Sequence, residues 1–510
     1  MQKIVDYLKL NSIAVALALF SAILTLIANR SGVGWSWDTS DYVAVGKNFA
    51  AGNGLLDATG LPMTVRPPGL SILIGFGDML GLSANSSARL LNALCAIVTV
   101  LGTSRLLQLA NVKRTVLVVA TALVAFSPAL LWQYSMIWSE PPFVALLVLA
   151  TIVALGPAST KKFVLLVALF VALFFVRYVG PVFAVSMAVS AILFDHRKLG
   201  LIKATAANLS ALAISLLPVW FWLQRNQTID GTLTGARTPG GGSLLDPLKT
   251  FTATLGSWLT ANPVEGSIYL SWNDYPNNTK ILGVMLLIVF FALTAVYFFL
   301  FDARGVDQNK TLNVLLINVV TAVVYVAFSA YRFVHFELGP LDNRMMIPIF
   351  VPLVIVMALL IDRIKLASML SRKGVLAIFA VFLIFQAISS IDDALRFGRD
   401  GRYWAAKEFQ NQQIHEFVKD LPKDSSLMSN QPQQLFAVWQ KSSVFNQFQL
   451  ELAQTAECNN RYFVWYNSTY DDGSPNLEGQ PEGASEIYSD ESGAVLDLGS
   501  CTSSVATFWP

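Results

Sequence analysis

Through the first 390 or so positions, long apolar runs alternate with short polar connectors, and beyond that point the chain turns polar. Runs such as 281–300, 311–330 and 345–361 are long enough, as helices, to cross roughly 30 Å of hydrocarbon. The pattern predicts eleven spans, at about 11–28, 86–105, 115–132, 141–157, 163–177, 181–195, 202–223, 280–300, 311–330, 345–361 and 374–392. The first run is too long for a signal-peptide core, and the following Ala-Asn-Arg-Ser-Gly is a poor cleavage site, so it is expected to stay as a helix. Segment 69–82 is apolar but short and contains Asp78, which suits a re-entrant or juxtamembrane piece.

Three external elements follow from this pattern: a first loop (29–85), a long loop (224–279) and a tail (393–510). In the first loop, Thr39 or Ser40 caps a predicted helix that runs to Ala51 and ends at Gly52. Tyr42, Val45 and Phe49 fall on one face, so this helix is expected to lie along the membrane surface. In the tail, SSLMSN, QPQQLFAVWQ and SVFNQ read as strand, helix and strand, and RYFVWYN as a buried strand. The expected architecture is therefore an α-helical polytopic membrane domain (1–392) followed by a small extracytoplasmic α/β domain (393–510). No internal repeat is evident, which disfavours inverted-repeat transporters.

Composition and charge sharpen this reading. With 54% apolar and 13% charged residues among 510, the chain is not a soluble globular protein. Placing the N-terminus inside puts 16 basic and five acidic residues in the inner connectors, leaving 19 basic and 28 acidic elsewhere. That asymmetry is what the positive-inside rule requires, and it places the tail outside. Three cysteines exclude a disulfide-rich scaffold and a cysteine-based zinc module. Cys95 lies in an apolar run as a packing residue, whereas Cys458 and Cys501 are expected to form one disulfide in the exported tail.

The chemistry-bearing residues gather at the outer ends of these spans. Asp38 sits at the start of the loop helix, where the macrodipole favours an ionised carboxylate that can accept a proton from an attacking hydroxyl. Taken alone, the same residue reads as a capping Asp. Glu140, in MIWSEPPF, starts the fourth span on the same face. Arg177 interrupts two apolar runs in LFFVRYVGPVF, and Arg344 opens the tenth span beside Asp342, its local alternative partner. Arg66 precedes a Pro-Pro pair where the loop returns to apolar sequence. Three arginines at one membrane face suit an anionic lipid headgroup, since a guanidinium matches phosphate geometry. His335 and Glu337 share this face, and a divalent metal there is conceivable but not favoured, because their spacing matches no strong ligand motif; no cofactor is certain. Sequons at Asn226, Asn277 and Asn467 are short enough to arise by chance, and Asp471-Asp472-Gly reads as a turn.

WDTSDYVAVGKNFAAGNGL followed by RPPGLSILIGF resembles the first external loop of GT-C glycosyltransferases, in the group of protein O-mannosyltransferases, aminoarabinose transferases and RgtA/B/C/D-like enzymes. SSARLLNALCAIVTVLG, SEPPFVALLVLA, FFVRYVGPVF, LQRNQTIDG and DNRMMIPIF resemble later landmarks, so the likeness covers most of 10–395. It implies Asp38 as catalytic carboxylate, Tyr42 as the tyrosine beside it, Arg66 on the lipid phosphate and Glu140 as a second-loop acid. Arg177 and Arg344 match basic positions around the donor headgroup. The acid that commonly follows the first Asp is Thr39 here, which leaves Asp38 and Asp41 as alternative bases. The resemblance implies an inverting transfer of sugar from a polyprenyl-phosphate donor to a hydroxyl on a glycan, lipid or protein, with no nucleic-acid partner. The competing readings are a transporter or flippase of lipid-linked sugars, and a metal-using transferase with a lipid diphosphate donor.

Overall fold

The computed structural model describes residues 11–236, 242–260, 270–300, 306–336, 339–363, 372–446, 460–467 and 484–498. The expected Cys458–Cys501 bridge, the Asp471-Asp472 turn and Glu337 lie outside the described residues. The chain forms two compact units, one of residues 1–28, 64–69 and 89–396, the other of 29–63, 70–88 and 397–510.

The first unit is helical, and all eleven apolar runs are found in helices. Among the described residues, five helical stretches are long and apolar enough to cross a membrane: Ala84–Leu109, Leu201–Asp230, Asn277–Ala295, Lys310–His335 and Asn343–Asp362. A sixth is added if Arg114–Ala125 and Pro128–Tyr134, bent by 43°, count as one span. Others, such as Ser12–Ala28 and Glu140–Ala154, are shorter, so the number of crossings does not follow from helix length alone. The bend has a local cause. Pro128 has no N–H to donate, and Ser127 Oγ accepts from Leu130 N at 3.3 Å to restart the helix. Pro348 lies in Ile347–Ile349, a 3₁₀ turn between Asn343–Met346 and Phe350–Arg363.

Aromatic packing joins the helices at the centre of this unit. The Phe183 ring lies 5.2 Å from Phe143 and 4.9 Å from Tyr325, centroid to centroid, and all three are buried. Cys95 is buried and free, as expected of a packing residue. The helices also expose Ile288, Val381, Ile384 and Ile388, apolar side chains suited to lipid.

In the second unit the first loop and the tail fold together. The loop helix is Trp37–Ala50, starting three to four residues earlier than the sequence suggested, because Ser36 rather than Thr39 or Ser40 precedes its first turn. Thr39 instead completes the cap from inside the helix. Its Oγ1 accepts from Ser36 N at 3.1 Å, half of a capping box. Nor does the helix lie on a surface by one apolar stripe, since residues 39–46 are buried all round. At Gly46 and Gly75, a Cβ would run into the opposing backbone, so the glycines set the close approach of Trp37–Ala50 to Gly69–Met79. That second helix has 11 residues, too few to cross a bilayer, and exposes Leu73, Phe76 and Met79.

The tail contributes β1 (Ser426–Ser429), β2 (Val444–Asn446), β3 (Arg461–Tyr466), β4 (Ser485–Asp490) and β5 (Gly493–Asp497), in the order β2-β1-β3-β5-β4. β1 pairs in parallel with β2 and β3, and Pro432–Trp439 is the helix between β1 and β2, as the sequence pattern predicted. The antiparallel β4–β5 pair was not foreseen. β4 is a largely exposed edge strand, SEIYSD, with little apolar signal. Loop and tail share backbone bonds: Trp404 N donates to the Trp35 carbonyl at 3.0 Å, and Val444 N to the Ala58 carbonyl at 2.8 Å.

Candidate active site

Glu140 is the centre of the first unit's polar cluster. It opens the helix Glu140–Ala154, whose next residues, Pro141 and Pro142, fit a first turn where N–H groups have no partner in the helix. The side chain is fully buried. Oε1 accepts from Arg344 Nε at 3.0 Å and forms a second ion pair with Arg177 Nη1. Arg177 Nη1 also donates to Ser139 Oγ at 3.2 Å. The Arg344 guanidinium lies 4.2 Å from the centre of the buried Trp138 ring, a cation–π contact that fixes its plane.

Chain breaks aim both arginines. Arg177 caps the end of Thr160–Val176, just before Gly180–Leu199 begins. Arg344 rides on the turn Asn343–Met346, which Asp342 caps by accepting from Met345 N at 3.0 Å. Burial pushes the Asp342 carboxyl up to about 7. The ion pair of Arg344 is therefore with Glu140, 204 positions away, while the Asp342 carboxylate is engaged in capping.

Arg66 lies in a short strap held at both ends by the segment that carries Arg177. The Thr64 carbonyl accepts from Tyr178 Oη at 2.5 Å and from Asn226 Nδ2 at 3.4 Å. Trp222 Nε1 donates to the same Tyr178 oxygen at 3.0 Å. At the other end, the Phe175 carbonyl sits where a Cβ on Gly69 would be. Tyr178, Trp222 and Asn226 had no assigned role in the sequence reading, although two of them stand in motifs already singled out. Asn226 is fully buried with its amide donating to backbone, so this sequon is structural.

An apolar cavity of about 750 Å³ opens in the same unit, lined by residues including Leu248, Phe251, Phe290, Val323 and Leu353. Ile349, also in its wall, belongs to the 3₁₀ turn that follows the Arg344 turn.

In the second unit, Asp38, Asp41 and Tyr42 share the helix Trp37–Ala50. Asp38, in the first turn, is partly exposed, whereas Asp41 and Tyr42 are buried. The helix is pinned to the tail: Trp35 Nε1 donates to Ser40 Oγ at 2.7 Å, which donates to the Gln433 carbonyl at 2.6 Å. Lys47 Nζ donates to the Gln440 carbonyl at 3.0 Å. Burial lowers the Lys47 pKa, opposed by the charge of Asp78. His335 is exposed, with Nδ1 2.9 Å from the Tyr331 carbonyl, and among the described residues no group of three metal-ligating side chains occurs.

No family model and no curated protein matches the sequence. Solved structures do. ArnT from Cupriavidus metallidurans bound to undecaprenyl phosphate aligns at a TM-score of 0.60 and 13% identity, covering 98% of this chain and 99% of that one. Its apo form aligns at 0.59 and 12% identity, covering 96% and 98%. The arabinofuranosyltransferase AftD from Mycobacteria aligns at 0.52 and 16% identity, covering 96% of this chain but 40% of that one. The chain has the GT-C fold. Within this GT-C fold, Glu140, Arg177 and Arg344 converge on one carboxylate oxygen, and Arg66 is tied to the Arg177 segment by its strap. Asp38, Asp41 and Tyr42 stand on a helix of the other unit.

Proposed function

We propose that the protein is an inverting glycosyltransferase that moves a sugar from a polyprenyl-phosphate donor to a hydroxyl acceptor on the outer face of a membrane. The observation that carries this reading is the buried Glu140 with two guanidiniums on one oxygen, in a chain of GT-C fold. A carboxylate in that position holds Arg177 and Arg344 in fixed orientations before any substrate arrives, and preorganised cations stabilise charge that grows on a leaving phosphate. Arg66 adds a third cation near the same chain segment. The apolar cavity, with Ile349 of the following 3₁₀ turn in its wall, suits an isoprenoid tail. Its presence agrees with the undecaprenyl phosphate named for the ArnT structure.

Asp38 is the general base in this proposal. It accepts the acceptor's hydroxyl proton as the oxygen attacks the anomeric carbon, and the C–O bond to the phosphate breaks with inversion. Its partial exposure favours it over the buried Asp41, because a base must reach its substrate. Tyr42 then supports the helix from within, and Thr39, where relatives of this group carry an acid, serves as a cap.

Sugar transfer by purified Asp38→Asn and Asp41→Asn proteins tests the assignment. Loss of the base lowers the rate about 10²–10⁴-fold, and the expected loss falls on Asp38→Asn, with donor binding retained. The large loss on Asp41→Asn would move the base there. Near-normal transfer by both would remove the catalytic loop from the proposal.

A further inference from the structure

The first unit carries a second built feature at its other end. Lys162 and Arg177 bracket the helix Thr160–Val176, so they stand about 22 Å apart along its axis. At the Lys162 end lies an open cavity of about 410 Å³, lined by Ser159, Thr160, Lys162, Asp195 and Asn208 among others. Its floor is electrically neutral. Lys162 Nζ donates to both oxygens of Asp195, at 3.0 and 2.9 Å, and Asn208 Nδ2 donates to one of them at 3.0 Å.

Close to these lining residues in the chain, Lys161, Arg197, Lys198 and Lys203 are all exposed. Between Lys198 and Lys203, the junction of Gly180–Leu199 with Leu201–Asp230 exposes Leu201 at 63% and Ile202 at 86%. Bare aliphatic side chains flanked by cations match a bilayer interface, where the apolar tips enter lipid and the ammonium groups meet phosphates. Val164, Leu193 and Leu209 are also exposed on the same three helices.

We infer that this end of the protein binds an anionic phospholipid of the leaflet opposite the Glu140 cluster. The headgroup phosphate lies against Lys161, Arg197, Lys198 and Lys203, with the Ser159 and Thr160 hydroxyls at the cavity mouth, and the acyl chains follow the exposed helix faces. The neutral Lys162–Asp195 floor takes no part in charge recognition. It holds three helices in the arrangement that forms the cavity. The inference is independent of the transferase reading, because no residue of the Glu140 cluster or of the Asp38 helix is used.

The test uses the full chain, purified in detergent and examined by native mass spectrometry with dioleoylphosphatidylglycerol or dioleoylphosphatidylcholine. The expected result is retention of phosphatidylglycerol at least tenfold over phosphatidylcholine. In the double variant Arg197→Gln/Lys198→Gln, phosphatidylglycerol affinity falls roughly 25-fold, about fivefold for each basic residue at a membrane surface. Both residues are exposed, so helix packing survives their replacement. Excess glycerol 1-phosphate is expected not to displace the lipid. Equal retention of the two lipids, unchanged retention by the double variant, or displacement by glycerol 1-phosphate would each overturn the assignment.

Discussion

Glu140 and Asp195 are both buried carboxylates bound to cations in the same unit, but they are bound in different ways. Asp195 has one ammonium across both oxygens and one amide, a neutral set between neighbouring helices with its lysine 6% exposed. Glu140 has two guanidiniums on a single oxygen, brought from chain breaks at 177 and 344, and both retain some exposure, 15% and 11%. Two guanidiniums brought from separate chain breaks and oriented by one oxygen fit a site that presents cations. A saturated one-to-one pair fits a clamp. Burial of charge therefore does not by itself separate a candidate site from a structural clamp; the route by which the partners arrive does.

Replacements at the two sites should therefore fail differently. The largest effect is expected from Arg344→Met, which leaves Glu140 paired with Arg177 and so keeps the fold. Sugar transfer should drop about 10²–10³-fold, the usual cost of losing one preorganised charge-stabilising donor. Transfer near the parent rate would break the distinction. Next, Asp195→Ala strands a buried ammonium and should destabilise the protein by about 3–5 kcal/mol in thermal unfolding, with transfer per folded molecule unchanged. A loss of transfer at full stability would give the Lys162 end a catalytic part. The double replacement Lys162→Met/Asp195→Leu should restore most of that stability, because a well-packed apolar pair often equals a buried ion pair. Failure to recover would show that the pair does more than clamp.

The smallest effect concerns a third buried polar group, His415 in the tail unit. Its Nδ1 lies 2.6 Å from the Phe409 carbonyl and its Nε2 3.1 Å from Tyr466 Oη. Burial lowers its pKa to about 4, against the bond to Phe409, which raises it. The unfolded chain therefore takes up a proton first as pH falls. Stability held above about pH 6.5 should decline down to about pH 4 and then level. A pH series of thermal unfolding should show this slope in the parent and lose it in His415→Gln. An identical slope in both would assign the titration to another group.

Much of this was legible in the chain itself. The strand–helix–strand of the tail stood out in SSLMSN, QPQQLFAVWQ and SVFNQ, and RYFVWYN, an apolar run, is the central strand β3. The loop helix was visible too, but its start was misjudged: Ser36, Thr39 and Ser40 are all good caps, and only the observed bond from Ser36 N to Thr39 Oγ1 chooses among them. The helix also lost its expected surface position, since Gly46 and Gly75 permit burial that an apolar-stripe count does not register.

By itself, the sequence determined which segments are apolar enough for lipid, where helices break at proline and glycine, and which acids and arginines stand at those breaks. Those properties depend on residues within a few positions of one another, through hydrogen-bond periodicity, side-chain hydrophobicity and the missing N–H of proline. Tertiary structure decided the pairing. Arg344 meets Glu140 rather than the adjacent Asp342, and Lys162 and Asp195, which looked like connector charges, close on each other out of water. A buried charge binds whichever opposite charge the packed helices bring within about 3 Å, and proximity across 204 positions is a property of packing that no local pattern encodes.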